Sequence, residues 1–66
     1  MIVVVNGNRH EVPDNSTVAD VLAALAMPVG GIAVALAGEV VPRAAHAATL
    51  LDPGAELEVL TAVQGG

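Results

Sequence analysis

The sequence has no cysteine, no phenylalanine, tryptophan or tyrosine, and no lysine. Without cysteine there is no disulfide and no thiolate nucleophile, and a zinc ion would have to be held by histidine and carboxylates alone. Without aromatic rings the core has to be packed from branched aliphatics, in a chain whose hydrophobic fraction of 55% is mostly Val, Leu and Ala. Arg9 and Arg43 are the only basic residues beside a formal charge of -5. Such a chain has little with which to bind nucleic-acid phosphates or an anionic membrane. An acidic surface suits a partner with a basic docking face, although solubility alone is the commoner reason for it.

The 66 residues make one domain. A chain of that size buries only about 60% of its unfolded surface and sits near the lower limit for folding without staples. From Val21 to Gly38 there is no charge, a run long enough to resemble a membrane span. Pro28, Gly30 and Gly31 interrupt it, and neither end carries aromatic or basic anchors, so it reads as a helix, a turn and a strand. Met1-Ile2-Val3-Val4-Val5 has no basic region and reaches polar Asn6 too soon for a signal peptide, which makes the expected compartment cytoplasmic.

Turn signals divide the chain. Ile2 to Val5 is β-branched, and Asn6-Gly7-Asn8 supplies the positive backbone angles of a tight hairpin into Arg9-His10-Glu11-Val12. After a loop from Pro13 to Ser16, Thr17 and Asp20 have the spacing of a capping box. Val18, Val21, Leu22 and Leu25 then follow at helical spacing, predicting one amphipathic helix that ends near Ala26. Ile32, Val34 and Leu36 alternate as a strand, Ala37-Gly38 reads as a turn, and Glu39-Val40-Val41 as a short partner strand closed by Pro42. Ala44 to Ala48 suits a helical turn, Asp52-Pro53-Gly54 is a turn, and Glu56 to Val63 predicts a last strand with Leu57 and Val59 on one face. This order is α+β, with one helix covering one face of a sheet of four to five strands. Returning the last strand between the first and third gives a ubiquitin-like β-grasp with a mixed sheet, which is one of several topologies that propensity alone allows. The predicted domain is residues 1–63, followed by a flexible tail, 64–66.

The chain stops at Val63-Gln64-Gly65-Gly66. At average glycine usage a terminal pair arises by chance in about half a per cent of chains. Two glycines make the narrowest peptide available, able to thread a tight tunnel. Their carboxylate is an anion that can attack an activated phosphate. A merely frayed end is the plainer reading, and the pair alone does not decide between them.

The residues that decide lie upstream. Gly31-Ile32-Ala33-Val34-Ala35-Leu36 followed by Gly38-Glu39-Val40-Val41-Pro42-Arg43, the segment Leu50-Leu51-Asp52-Pro53-Gly54-Ala55-Glu56-Leu57-Glu58-Val59, and Thr61 to Gly66 together resemble the ThiS family of bacterial sulfur carriers of thiamine thiazole synthesis. The family often has a large aromatic soon after Val-Pro-Arg, where this chain has His46, and an Asn where Ala37 stands. The resemblance implies a co-substrate and not an enzyme. An adenylating partner of the ubiquitin-activating type would use ATP and Mg to convert the Gly66 carboxylate to an acyl-adenylate. Sulfur from a donor such as a cysteine desulfurase would make it a thiocarboxylate, which would pass to thiazole synthase. Val63, Gln64, Gly65 and Gly66 would be the segment that partners hold, and the chain itself would bind no cofactor and act as a monomer alone. A flexible tail of three residues reaches roughly 10 Å, enough to enter a buried site while the body docks outside.

No other residue suggests catalysis. His10 and His46 have no ligand cluster near them in sequence and read as surface histidines rather than metal ligands. Arg43 suits an internal ion pair somewhat better than a partner's carboxylate. Ser16, Thr17, Thr49 and Thr61 offer hydroxyls with no accompanying base, and Ser16 and Thr17 suit capping. Gly30-Gly31 lacks the context of a dinucleotide loop and reads as a connector. Glu56 and Glu58 alternate with Leu57 and Val59 as on a half-solvated strand. Three alternatives stay open: the small subunit of molybdopterin synthase, which also ends in Gly-Gly, a ubiquitin-like modifier joined to lysines, and a binding domain whose tail is incidental.

Overall fold

Local rules set the frame seen in the computed structural model, which describes residues 1–27 and 31–61. Strands β1 (Ile2–Val5) and β2 (Asn8–Glu11) form an antiparallel hairpin, with Val5 opposite Asn8 across the Asn6-Gly7 turn. Helix α1 (Val18–Ala24) starts on the predicted capping box. Thr17 Oγ1 accepts from the Asp20 N–H at 3.1 Å, and an Asp20 carboxylate oxygen accepts from the Thr17 N–H at 2.9 Å. The next orphan donors are met from a distance, Val18 N–H by Thr49 O and Ala19 N–H by His46 O, both at 3.0 Å. The first turn of the helix is thereby tied to the segment before the last strand.

The helix ends two residues earlier than the sequence suggested. Leu25 is its C-cap, Ala26 turns left-handed at φ 55, Ala26 N–H bonds Ala23 O, and Met27 N–H reaches back to Leu22 O. These are the paired bonds of a Schellman close, with alanine where glycine is usual. After Gly31, β3 (Ile32–Leu36) and β4 (Glu39–Val41) make a second hairpin across Ala37-Gly38. The predicted turn within Ala44 to Ala48 is a 3₁₀ turn at Arg43–Ala45, entered through Pro42. Gly54 at φ 83 and the Ala55 N–H to Asp52 O bond of 3.0 Å close the turn into β5 (Glu56–Thr61).

The sheet order is β2-β1-β5-β3-β4, with β1 and β5 parallel and every other pair antiparallel. This is the predicted β-grasp: one helix against a mixed sheet of five strands. Val3 and Val5, Val34, Val41, and Leu57 and Val59 form the inner face, packed with Val18, Val21 and Leu22 of α1 and with Val12 and Leu51. Each such side chain contributes about 1.5–3 kcal/mol by leaving water, so aliphatics alone supply the driving force.

Two expectations for polar groups are corrected. His46 is not a surface residue: it is 9% exposed and its Nε2 lies 3.1 Å from Val41 O. The Val41 carbonyl satisfies one nitrogen of the buried imidazole. Arg43 is exposed and has no ion pair among the described residues, where the one pair joins the Met1 amine to Asp14 at 3.1 Å. Held at the surface, its guanidinium keeps its hydration and needs no acid. Ser16 is a smaller revision, since its hydroxyl donates to Pro13 O at 2.6 Å and braces the loop, leaving the cap to Thr17.

Candidate functional site: the strand that leads to the carboxy terminus

β5 lies at the centre of the sheet between β1 and β3, and the chain runs from it to the terminus. Its alternation puts Leu57 and Val59 into the core and Glu56, Glu58 and Leu60 on the open face. On the β1 side, Val4 N–H bonds Ala55 O at 2.8 Å and Asn6 N–H bonds Leu57 O at 2.9 Å. β1 then turns away, and the Asn6 side chain continues the ladder. Its Nδ2–H donates to Val59 O at 3.0 Å, and its Oδ1 accepts from Val59 N–H at 2.7 Å. A carboxamide has the donor and acceptor of a peptide group, so Asn6 acts as one more residue of β1. The strand leading to the terminus is therefore gripped on both sides as far as Val59.

The open face is apolar where β3, β4 and β5 meet. Val40 is 76% exposed and Leu60 is 69% exposed, beside Ala33 and Ala35, with Glu58 among them. The sequence carried a signal for this patch, because Leu60 is in phase with Glu56 and Glu58 rather than with the core residues. Val63, Gln64, Gly65 and Gly66, together with the predicted domain boundary after residue 63, lie outside the described residues.

Elsewhere the described residues offer no reaction centre. Ser16 and Thr49 hydroxyls are bonded to the carbonyls of Pro13 and Ala45, and Thr17 caps the helix. No group of three or more His, Asp or Glu among the described residues is placed to hold a metal. Nor is any described helix long and apolar enough to cross a membrane. Glu56 and Glu58 are exposed as predicted, and Gly31, at φ 74, serves as a bend; Gly30 is outside the described residues.

Comparison with known proteins agrees with this architecture. The model of the ThiS family matches residues 3–66. A crystal structure of the thiamine biosynthesis protein ThiS from Geobacter metallireducens is 33% identical, with a TM-score of 0.84 and all of both chains covered. A solution NMR structure of a thiamine biosynthesis protein from the same organism gives 33% identity and a TM-score of 0.80, covering all of this chain and 88% of that one. No curated protein sequence matches the chain.

Proposed function

The chain belongs to the ThiS family, and from that premise we propose that it is a sulfur carrier for thiamine thiazole biosynthesis, a co-substrate whose body, residues 1–63, is the handle and whose residues 64–66 are the reactive tail. The observation that carries this reading is that the family match runs through Gly65-Gly66. The Gly66 carboxylate attacks the α-phosphate of ATP in an adenylating partner of the ubiquitin-activating type, releasing pyrophosphate and forming an acyl-adenylate. Mg in that partner offsets the phosphate charge. A persulfide from a cysteine-derived donor attacks the acyl carbon and expels AMP, and a thiol then cleaves the S–S bond to leave the thiocarboxylate. That soft anion is the nucleophile delivered to thiazole synthase. The grip on β5 supports this division of labour, because it holds the strand that precedes the tail to the body of the sheet. The apolar patch of Val40 and Leu60 supports docking of the body beside the partner's active site.

Incubation with the adenylating enzyme and ATP·Mg is expected to add AMP, and a persulfide source with a thiol to exchange one carboxylate oxygen for sulfur, both read by intact mass. Deletion of Gly66 is expected to abolish the adduct, since the carboxylate then falls about 3.5 Å short. The same deletion should change unfolding free energy by no more than about 0.5 kcal/mol. An unchanged mass for the wild type, with an enzyme active on another carrier, would refute the proposal.

A further inference from the structure

The Val41-Pro42-Arg43 triplet and His46 take no part in the tail chemistry, yet the fold brings Arg43 and His46 to one open groove of about 250 Å³ between α1 and the 3₁₀ turn. Its apolar walls are Ala19, Leu22, Ala23 and Met27. A 3₁₀ turn has three residues per turn, which stacks positions i and i+3 on one side. The His46 N–H to Arg43 O bond of 3.1 Å shows that geometry here. The Schellman close fixes the other end, since the bond from Met27 N–H to Leu22 O holds those two wall residues together.

The polar groups of the groove define what it would take. Val41 O can only accept, so His46 Nε2 donates in the bond of 3.1 Å, and in the neutral ring Nδ1 is then an acceptor. His46 is 9% exposed, and Nδ1 has no partner among the described residues. His46 lines the groove, so Nδ1 is the ring atom left for a ligand there. Arg43 adds an exposed guanidinium with no acid paired to it among the described residues. Asp20, the acid of α1, is turned to the Thr17 N–H.

A ligand that satisfies the groove needs a donor for Nδ1, a carboxylate for Arg43 and an aliphatic body for the walls. We propose that the groove binds the carboxy-terminal residue of a partner protein or peptide whose last residue is Leu, Ile or Val. One such residue carries N–H, side chain and α-carboxylate together. An internal aliphatic residue next to Asp or Glu is a poorer fit, because adjacent side chains of an extended segment point to opposite sides. In a chain of net charge -5, Arg43 is also the point at which a carboxylate is attracted rather than repelled. The chain's own Gly65-Gly66 end lacks the aliphatic side chain, so this site is separate from the tail and does not depend on the sulfur-carrier reading.

The test is an NMR titration of the ¹⁵N-labelled full chain with the peptide acid Ac-Gly-Leu-OH. Saturable shifts are expected at Ala19, Ala23, Arg43, His46 and Ala47. Binding should weaken at least roughly tenfold for the amide Ac-Gly-Leu-NH₂, for Ac-Gly-Gly-OH, and in Arg43→Gln, as loss of a charge-assisted contact or of the apolar body requires. Ala47→Glu, on an exposed lining residue, should weaken it similarly and carries the charge test if Arg43→Gln disturbs the fold. The proposal is overturned by an absence of saturable shifts, by equal affinity for acid and amide, or by tighter binding of the internal mimic Ac-Leu-Asp-NH₂.

Discussion

The two hairpins turn on nearly the same backbone and do different things with it. Asn6 and Gly7 sit at φ 51 and 82, Ala37 and Gly38 at φ 51 and 85. Both are two-residue connections with positive φ at each position, the form that matches strand twist. In the first turn, the Asn6 side chain also bonds both backbone groups of Val59, 53 positions away. In the second, Ala37 holds the left-handed conformation with a methyl group that bonds nothing. A turn signal thus predicts a hairpin in both places, and both turns bond β5 through a backbone N–H, Asn6 to Leu57 O at 2.9 Å and Ala37 to Glu56 O at 3.0 Å, but only the first adds a side-chain clamp on that strand.

The sharpest way to break this comparison is Asn6→Ala. It removes two hydrogen bonds, leaves Val59 N–H and C=O without their partner, and puts a third alanine in the left-handed region, after Ala26 and Ala37. The expected loss is about 2–3 kcal/mol in urea unfolding; a loss below about 0.5 kcal/mol would show that the clamp carries no stability. Next in size are Gly7→Ala and Gly38→Ala. No atom lies within 4 Å of a Cβ added at either position, so only the backbone cost remains. That cost should be about 1 kcal/mol in each turn, net of the entropy glycine loses on folding. Unequal costs would mean that the turns are not equivalent. The smallest effect is Ala37→Gly, expected to stabilise by about 0.5 kcal/mol, because φ 51 already lies at the edge of the allowed left-handed well. Destabilisation instead would show that the Ala37 methyl has a role in packing.

Elements announced by short-range chemistry were legible in the sequence. Asn6-Gly7, the Thr17 and Asp20 box, the Ile32-Val34-Leu36 alternation and Asp52-Pro53-Gly54 each contain their own cause, and together they set the order of elements along the chain, whereas the order in the sheet rests on the long-range pairing of β5 with β1 and β3. What was not legible depends on distant partners or on residues without a signal. The helix stops at Ala24 although Leu25 and Ala26 are good helix formers, because it is closed by the local bonds of Ala26 N–H to Ala23 O and Met27 N–H to Leu22 O around a left-handed alanine and not by glycine. A lone His46 has no periodicity, so its burial against Val41 O could not be read, and the favoured ion pair for Arg43 named no acid that the fold brings near. The apolar open face was half legible, in the phase of Leu60 against Glu56 and Glu58. The tail residues were legible only as chemistry, from the diglycine and the family resemblance.

The central claim is that Gly66 carries sulfur. Its most direct test is the intact mass of the protein isolated from its own host grown without thiamine, with the modified residue located by fragmentation. The account predicts a population in which one oxygen of the Gly66 carboxylate is replaced by sulfur. An unmodified terminus throughout, or Gly66 joined by an isopeptide bond to lysines of other proteins, would contradict it.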